Sequence, residues 1–233
     1  MKKSIWKNAA VQSLLASLIC IVLGLLIGYV VLLFINPAGA GEAILAVIRN
    51  FLNYSRATLK LKNFGSTLVK TAPLLMCALS VLFAYKVGLF NIGAAGQYTV
   101  GICACLYAAL AWHWGWLACL LFAVLVGALW GTIPGILKAY CNVNEVISGI
   151  MLNWIGLYST NMILTKVKES TSPYTFHIAS ENPKAILPTL GLEKLFANNN
   201  KVTLAIPLAI LLAIVIEVIL SKTKFGYELK PNA

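Results

Sequence analysis

Long apolar runs joined by short polar links make up most of the chain. A helix that crosses a bilayer needs about 20 apolar residues. The first such run is Val11–Ile35, closed by Asn36-Pro37, and its Gly24 and Gly28 form a GxxxG pair that permits close helix contact. In Ala38–Ser66 the charges Glu42, Arg49, Arg56, Lys60 and Lys62 alternate with Ile44, Leu45, Val47, Ile48, Phe51 and Leu52, the pattern of an amphipathic helix at an interface. Further spans are expected at Thr67–Tyr85 (with Pro73 inside), Asn91–Trp112, Leu117–Leu137, Glu145–Thr165 and Val202–Ser221. The pattern predicts an all-α polytopic transmembrane helical bundle of about six spanning helices, one transmembrane domain over residues 1–233. Residues 166–201, with Pro173, Pro183, Pro188 and Asn198-Asn199-Asn200, form the longest polar segment and read as a loop outside the membrane core.

Within this pattern the stretch Lys86–Gly101, KVGLFNIGAAGQYTVG, is the polar interruption that lies deepest among spanning segments. Amide side chains and irregular backbone are costly in hydrocarbon unless they line a cavity or pair with another helix. Two readings stand: a helix break where a polar solute is handled, or a membrane-edge turn with Asn91 capping the next helix. Gly127, Gly131 and Gly135 recur every four residues and form a smooth packing face, with Pro134 kinking the end of their helix. Asn142 and Glu145 resemble a capping pair. Asn153 and Asn161 are read as sharing a face that points into the bundle.

Composition supports the membrane reading: 60% of residues are hydrophobic, 11% are charged and the mean hydropathy is +0.86. The net charge of +11 is scattered through loops, which fits orientation and anionic lipid rather than nucleic acid. Lys2, Lys3 and Lys7 place the N-terminus in the cytoplasm, and Lys222, Lys224 and Lys230 return the C-terminus there. Lys86 and Lys138 then fall inside and the 166–201 loop outside; the basic Ala38–Ser66 stretch falls outside, against the rule. The basic N-terminus with its long apolar run reads as a retained first helix acting as a signal anchor. Trp112, Trp114 and Trp116 fit an aromatic belt, with His113 an interfacial bystander.

The sequence holds no Walker A pattern, no HExxH, no GxSxG and no Asp, and its two histidines fall in loops. Cys20, Cys77, Cys103, Cys105, Cys119 and Cys141 form no CxxC pair and read as packing residues, so no metal or other cofactor is expected. Catalysis is not expected either. Lys70, Lys86, Glu145 and Glu217 all lie near span ends, where anchoring explains them. What remains fits a transporter for a polar, neutral solute, because amides exchange hydrogen bonds with sugar hydroxyls and nucleobases.

Gly88–Gln97, GLFNIGAAGQ, resembles the GLFNIGAEGQ-like signature of ABC-importer permeases of the simple-sugar and nucleoside group, with Ala95 where an acid is usual. Val143–Trp154 is similar to that group's VNEVISTIMLNY-type stretch, and Thr223–Lys230 to its TxFGYELRAVG segment. The resemblance implies a cell-membrane permease that translocates nucleosides, purine nucleosides foremost. It further implies cytoplasmic ABC ATPase subunits, a second permease subunit and an extracytoplasmic solute-binding lipoprotein as partners, besides membrane lipid, and no nucleic acid. Asn91, Gln97 and Asn153 are the expected substrate-pathway residues. Gly93 and Gly96 are expected to allow the break, and Glu145 to serve structure at the cytoplasmic edge. Members of the group continue beyond the third match, so the chain is expected to be the N-terminal part of a permease, whether fragment, truncated gene or piece of a split protein. Rival readings are a ribose-like sugar permease, a non-transporting remnant and an ion-coupled secondary transporter.

Overall fold

The computed structural model describes residues 9–169 and 172–229; Lys2, Lys3, Lys7 and Lys230, on which the orientation partly rests, lie outside them. The described residues are helical, with no named strand and one isolated bridge between Lys168 and Thr175. The chain divides into two compact units, 1–63 and 64–233.

In the first unit α1 (Ala9–Ile35) is apolar on all sides, and none of its spanning stretch is buried. Nothing lies within 4 Å of where a Cβ would stand on Gly24 or Gly28, so the close contact their spacing permits is not made among the described residues. The Asn36 side chain accepts from the Gly39 amide at 3.2 Å and turns the chain into α2 (Ala40–Arg49). Glu42 in the first turn of α2 and Arg49 in the last match the helix dipole. A 3-10 turn follows at Asn50–Asn53.

The expected interfacial stretch Ala38–Ser66 is divided. Its end, from Ala57, is the start of α3 (Ala57–Lys86), which runs unbroken through Pro73. A helix of 30 residues is about 45 Å long, more than the roughly 30 Å hydrocarbon layer, so its basic first turns can extend beyond the apolar zone.

The second unit is organised around α4 (Ala94–Ala111), which packs along α5 (Trp116–Cys141) and α6 (Glu145–Leu164). Small residues permit these contacts. A Cβ on Gly101 would lie 3.3 Å from Ala123 O, and one on Gly156 would lie 3.5 Å from Gly96 O. Between membrane helices such close backbone approach, rather than hydrophobic burial, supplies most of the attraction. Among the described residues, five helices (α1, α3, α4, α5 and α9, Ala205–Lys222) are long and apolar enough to cross a membrane. The sixth expected span, α6, has 20 residues but carries Glu145, Asn153 and Asn161. The helices are those of an all-helical polytopic membrane protein, as the hydropathy pattern predicts.

At one end of this unit lies the 166–201 segment, with 3-10 turns at Thr165–Val167 and Pro183–Ala185 and short helices α7 (Ile178–Glu181) and α8 (Leu192–Leu195). It is pinned rather than loose. The buried Asn182 Nδ2 donates to Ala109 O and Trp114 O, both at 2.9 Å, tying the segment to the α4–α5 turn. The buried Asn199 Nδ2 donates to Ser66 Oγ at 3.0 Å, and Phe196 lies on Gly65 and Phe64 of α3. Trp112 and Trp114 pack on each other and on Phe122 at this end. After α9, Thr223 caps α10 (Lys224–Glu228) by accepting from Gly226 N at 3.1 Å. A Cβ on Gly226 would stand 2.2 Å from Ile219 O, so the FGYE turn folds back on α9 only with glycine there.

Candidate functional site

The polar interruption is a connection between two helices, not a kink within one. Gly88, at φ +78°, ends α3: its amide donates to Tyr85 O at 3.1 Å and the Leu89 amide to Ala84 O at 2.9 Å. This paired pattern is the Schellman motif, which needs a left-handed residue that glycine adopts without strain. The chain then crosses through Phe90, Asn91 and Ile92 and enters α4 at Ala94, three residues later than the pattern predicts. Asn91 is not the cap of that helix; the capping position belongs to Gly93, which has no side chain to offer.

The missing cap comes from α6. Asn153 Oδ1 accepts from the Gly96 amide at 2.7 Å, and Asn153 Nδ2 donates to Ile92 O at 3.0 Å. One amide therefore satisfies a free donor at the start of α4 and a free acceptor just before it. The fit needs glycine on both helices. A Cβ on Gly96 would stand 2.8 Å from Asn153 Oδ1 and 3.1 Å from Leu152 O, and one on Gly149 would stand 3.0 Å from Gly93 N. Gly93 and Gly96 thus serve the α4–α6 crossing as well as the turn.

At the end of the unit away from the 166–201 segment, a cavity of about 780 Å³ opens between the end of α3, the 87–93 connection and α5. Its polar wall is made by Asn91 and Gln97. Each amide nitrogen donates to the other's oxygen at 3.4 Å, and Asn91 Nδ2 also donates to Ser80 Oγ at 2.8 Å. The reciprocal bonds are long for amides, so exchanging them for bonds to a solute loses little. Gly131 makes room for this arrangement: a Cβ there would stand 2.9 Å from Gln97 Nε2. Phe83 and Phe90 supply flat apolar walls.

The edge of the cavity carries Lys138, in the last turn of α5, and Glu145, the first residue of α6, joined as an ion pair. The turn between them uses Asn142 in a left-handed conformation (φ 52°) to end α5, while Asn144 Oδ1 accepts from Val146 N at 2.8 Å to begin α6. Asn142 is therefore a C-terminal residue and Asn144 the N-cap, correcting the expected pairing of Asn142 with Glu145.

Of the expected pathway residues, Asn91 and Gln97 face the cavity together; Asn153 is absent from its lining and is engaged by backbone at both polar ends. Gly93 lines the cavity. The three α5 glycines differ: Gly127 faces α4 at Gln97 O, Gly131 holds the Gln97 amide, and Gly135 opens into empty space within the lining. Asn161 is exposed, whereas Asn153 is half-buried. Eight residues advance a helix about 80° past whole turns, which is enough to separate the two faces. Ala95 is exposed and does not line the cavity, so the acid it replaces in the signature takes no charge from this wall. Ser80, Phe83 and Lys138 were not singled out as site residues by the sequence. Ser80 lies 11 positions before Asn91, and no local pattern links them.

The family described as branched-chain amino acid transport system permease component matches residues 63–231. The chain is 34% identical over 223 residues to the guanosine ABC transporter permease protein NupP of Bacillus subtilis, covering 93% of this chain and 60% of that protein. It is 32% identical over 238 residues to the nucleoside ABC transporter permease protein NupB of Lactococcus lactis, covering 96% of this chain and 61% of that one. The glucose ABC transporter permease protein TsgB13 of Haloferax volcanii is 32% identical over 178 residues, 71% of this chain and 46% of its own length. The chain thus spans about three fifths of the length of the nucleoside permeases it matches. No solved structure matches it significantly.

Proposed function

Because the chain belongs to the branched-chain amino acid transport system permease component family, we propose that it is a permease subunit of an ATP-binding-cassette importer that moves nucleosides, purine nucleosides foremost, across the cytoplasmic membrane. The observation that carries this reading is that Asn91, Gln97 and Ser80 line one cavity together with Phe83 and Phe90. A nucleoside offers the matching surfaces: a base edge and ribose hydroxyls for the amides, and a flat base for the rings. The names of two relatives point the same way.

In this reading Asn91 and Gln97 contact the solute. Asn153 fixes the geometry of the connection that presents them, rather than meeting the solute itself. The cavity lies at the end that carries Lys86 and Lys138, which the charge pattern assigns to the cytoplasm; the pinned 166–201 segment then belongs to the opposite, external end. The described arrangement is then the inward-open one. ATPase subunits on the cytoplasmic side drive the exchange with the outward-open state, a solute-binding lipoprotein delivers the nucleoside outside, and a second permease subunit completes the pathway. The chain performs no covalent step.

Uptake of a labelled purine nucleoside by cells carrying the complete importer tests the proposal. Energy-dependent uptake that is lost when this subunit is deleted is expected. Uptake of ribose with no competition from nucleosides would overturn the substrate, and uptake that survives loss of the ATPase but collapses with the ion gradient would overturn the transporter class.

A further inference from the structure

Lys138 and Glu145 are the only charged side chains among the described residues that line the cavity, and they are bound to each other. Both lie at its edge rather than its floor, with side chains 42% and 20% exposed. Each also sits where a helix end favours its charge: the cation in the last turn of α5, the anion in the first turn of α6. The short α5–α6 turn, held by Asn142 and Asn144, keeps them together. The cavity therefore presents amides, a hydroxyl and aromatic rings to a solute, but no unpaired charge. A phosphate entering it must displace a carboxylate from Lys138 and then lie beside that carboxylate, whereas a neutral solute meets neither obstacle.

We propose that the Lys138–Glu145 pair is a charge filter, which makes the cavity take neutral nucleosides and refuse their phosphorylated forms. The proposal rests on the nucleoside reading above. It assigns selectivity to a pair that would otherwise only staple two helix ends. If the pair is broken on its acidic side, Lys138 becomes an uncompensated cation on the cavity lining and offers a phosphate a charge-assisted hydrogen bond.

Equilibrium binding to the purified transporter tests the filter without the external receptor. The quantity read is the ratio of dissociation constants for a purine 5′-monophosphate and the parent nucleoside. Glu145→Gln, which keeps a hydrogen-bond acceptor for Lys138, is expected to lower this ratio about tenfold or more, the usual value of one charge-assisted hydrogen bond. Adding Lys138→Gln is expected to restore it to within about threefold of wild type, and the exchanged pair Lys138→Glu with Glu145→Lys is expected to keep it, because neutrality is kept. A ratio unchanged in Glu145→Gln, or shifted tenfold in the exchanged pair, overturns the filter. Should wild type bind no nucleoside, the substrate reading falls by itself. The filter is then read from the monophosphate alone, whose binding must appear in Glu145→Gln and vanish in the double variant; its failure to appear overturns the filter as well.

Discussion

Asn153 Oδ1 lies 2.7 Å from the Gly96 backbone nitrogen, a contact made across 57 residues of sequence and two helices. The same side chain holds Ile92 O at 3.0 Å, so the entry to α4 is fixed by a residue of α6.

Replacing Asn153 by alanine leaves a donor and an acceptor unpaired in a half-buried site. The expected loss is about 2–4 kcal/mol, seen as a lower midpoint of thermal unfolding in detergent. Asn153→Asp keeps the acceptor for Gly96 N but sets an anion against Ile92 O, and it is expected to fall between alanine and wild type. If neither variant is destabilised, the trans-capping role is wrong.

The glycines of α5 and α4 are not equivalent. Gly96→Ala drives a methyl into the Asn153 side chain and α6 backbone and is expected to cost about 1–3 kcal/mol. Gly135→Ala meets nothing within 4 Å and is expected to stay within about 0.5 kcal/mol of wild type. Side-by-side melting of the two variants checks this, and equal losses would contradict the packing described.

Asn91 and Gln97 form one unit with Ser80, so their substitutions should not add. Asn91→Leu and Gln97→Leu are each expected to reduce nucleoside uptake about tenfold or more, and the double variant only slightly further. Initial uptake rates, normalised to protein in the membrane, make the comparison. Full uptake in both single variants would remove these amides from the pathway.

The 166–201 segment depends on Asn182. Asn182→Ala removes the Asn182 donor from Ala109 O and Trp114 O and is expected to loosen the segment by about 1–3 kcal/mol. Limited proteolysis in intact transporter should then cut between the short helices faster than in wild type; an unchanged rate would place the restraint elsewhere, at Asn199 or Phe196.

The helices themselves were legible because they rest on local quantities. Hydropathy over about 20 residues marks α1, α4, α5 and α9. The glycines of Lys86–Gly101 mark an interruption because backbone freedom is their own property. Where the reading moved, a local signal had two uses. The Lys60 and Lys62 pattern suits an interfacial helix and equally the overhanging turns of a long spanning one. Asn142 and Asn144 flank the same turn, and only backbone angles assign one to each helix.

The candidate site was half legible. Asn91 and Gln97 were picked out because amides are costly in an apolar run, and that cost is a property of the chain. Which partner an amide takes is not. Asn91 meets Ser80 and Gln97 because the connection lies between the end of α3 and the start of α4, while Asn153 meets the backbone of Gly96 and Ile92 because α4 packs on α6. The sequence alone determined that this is a bundle of membrane helices interrupted by a glycine- and amide-bearing connection. Tertiary structure decided that the amide of α6 braces that connection, and that those of α4 and its approach face a cavity edged by a neutral ion pair. Hydrogen bonds act over one contact distance, and only the folded helices set which residues come that close.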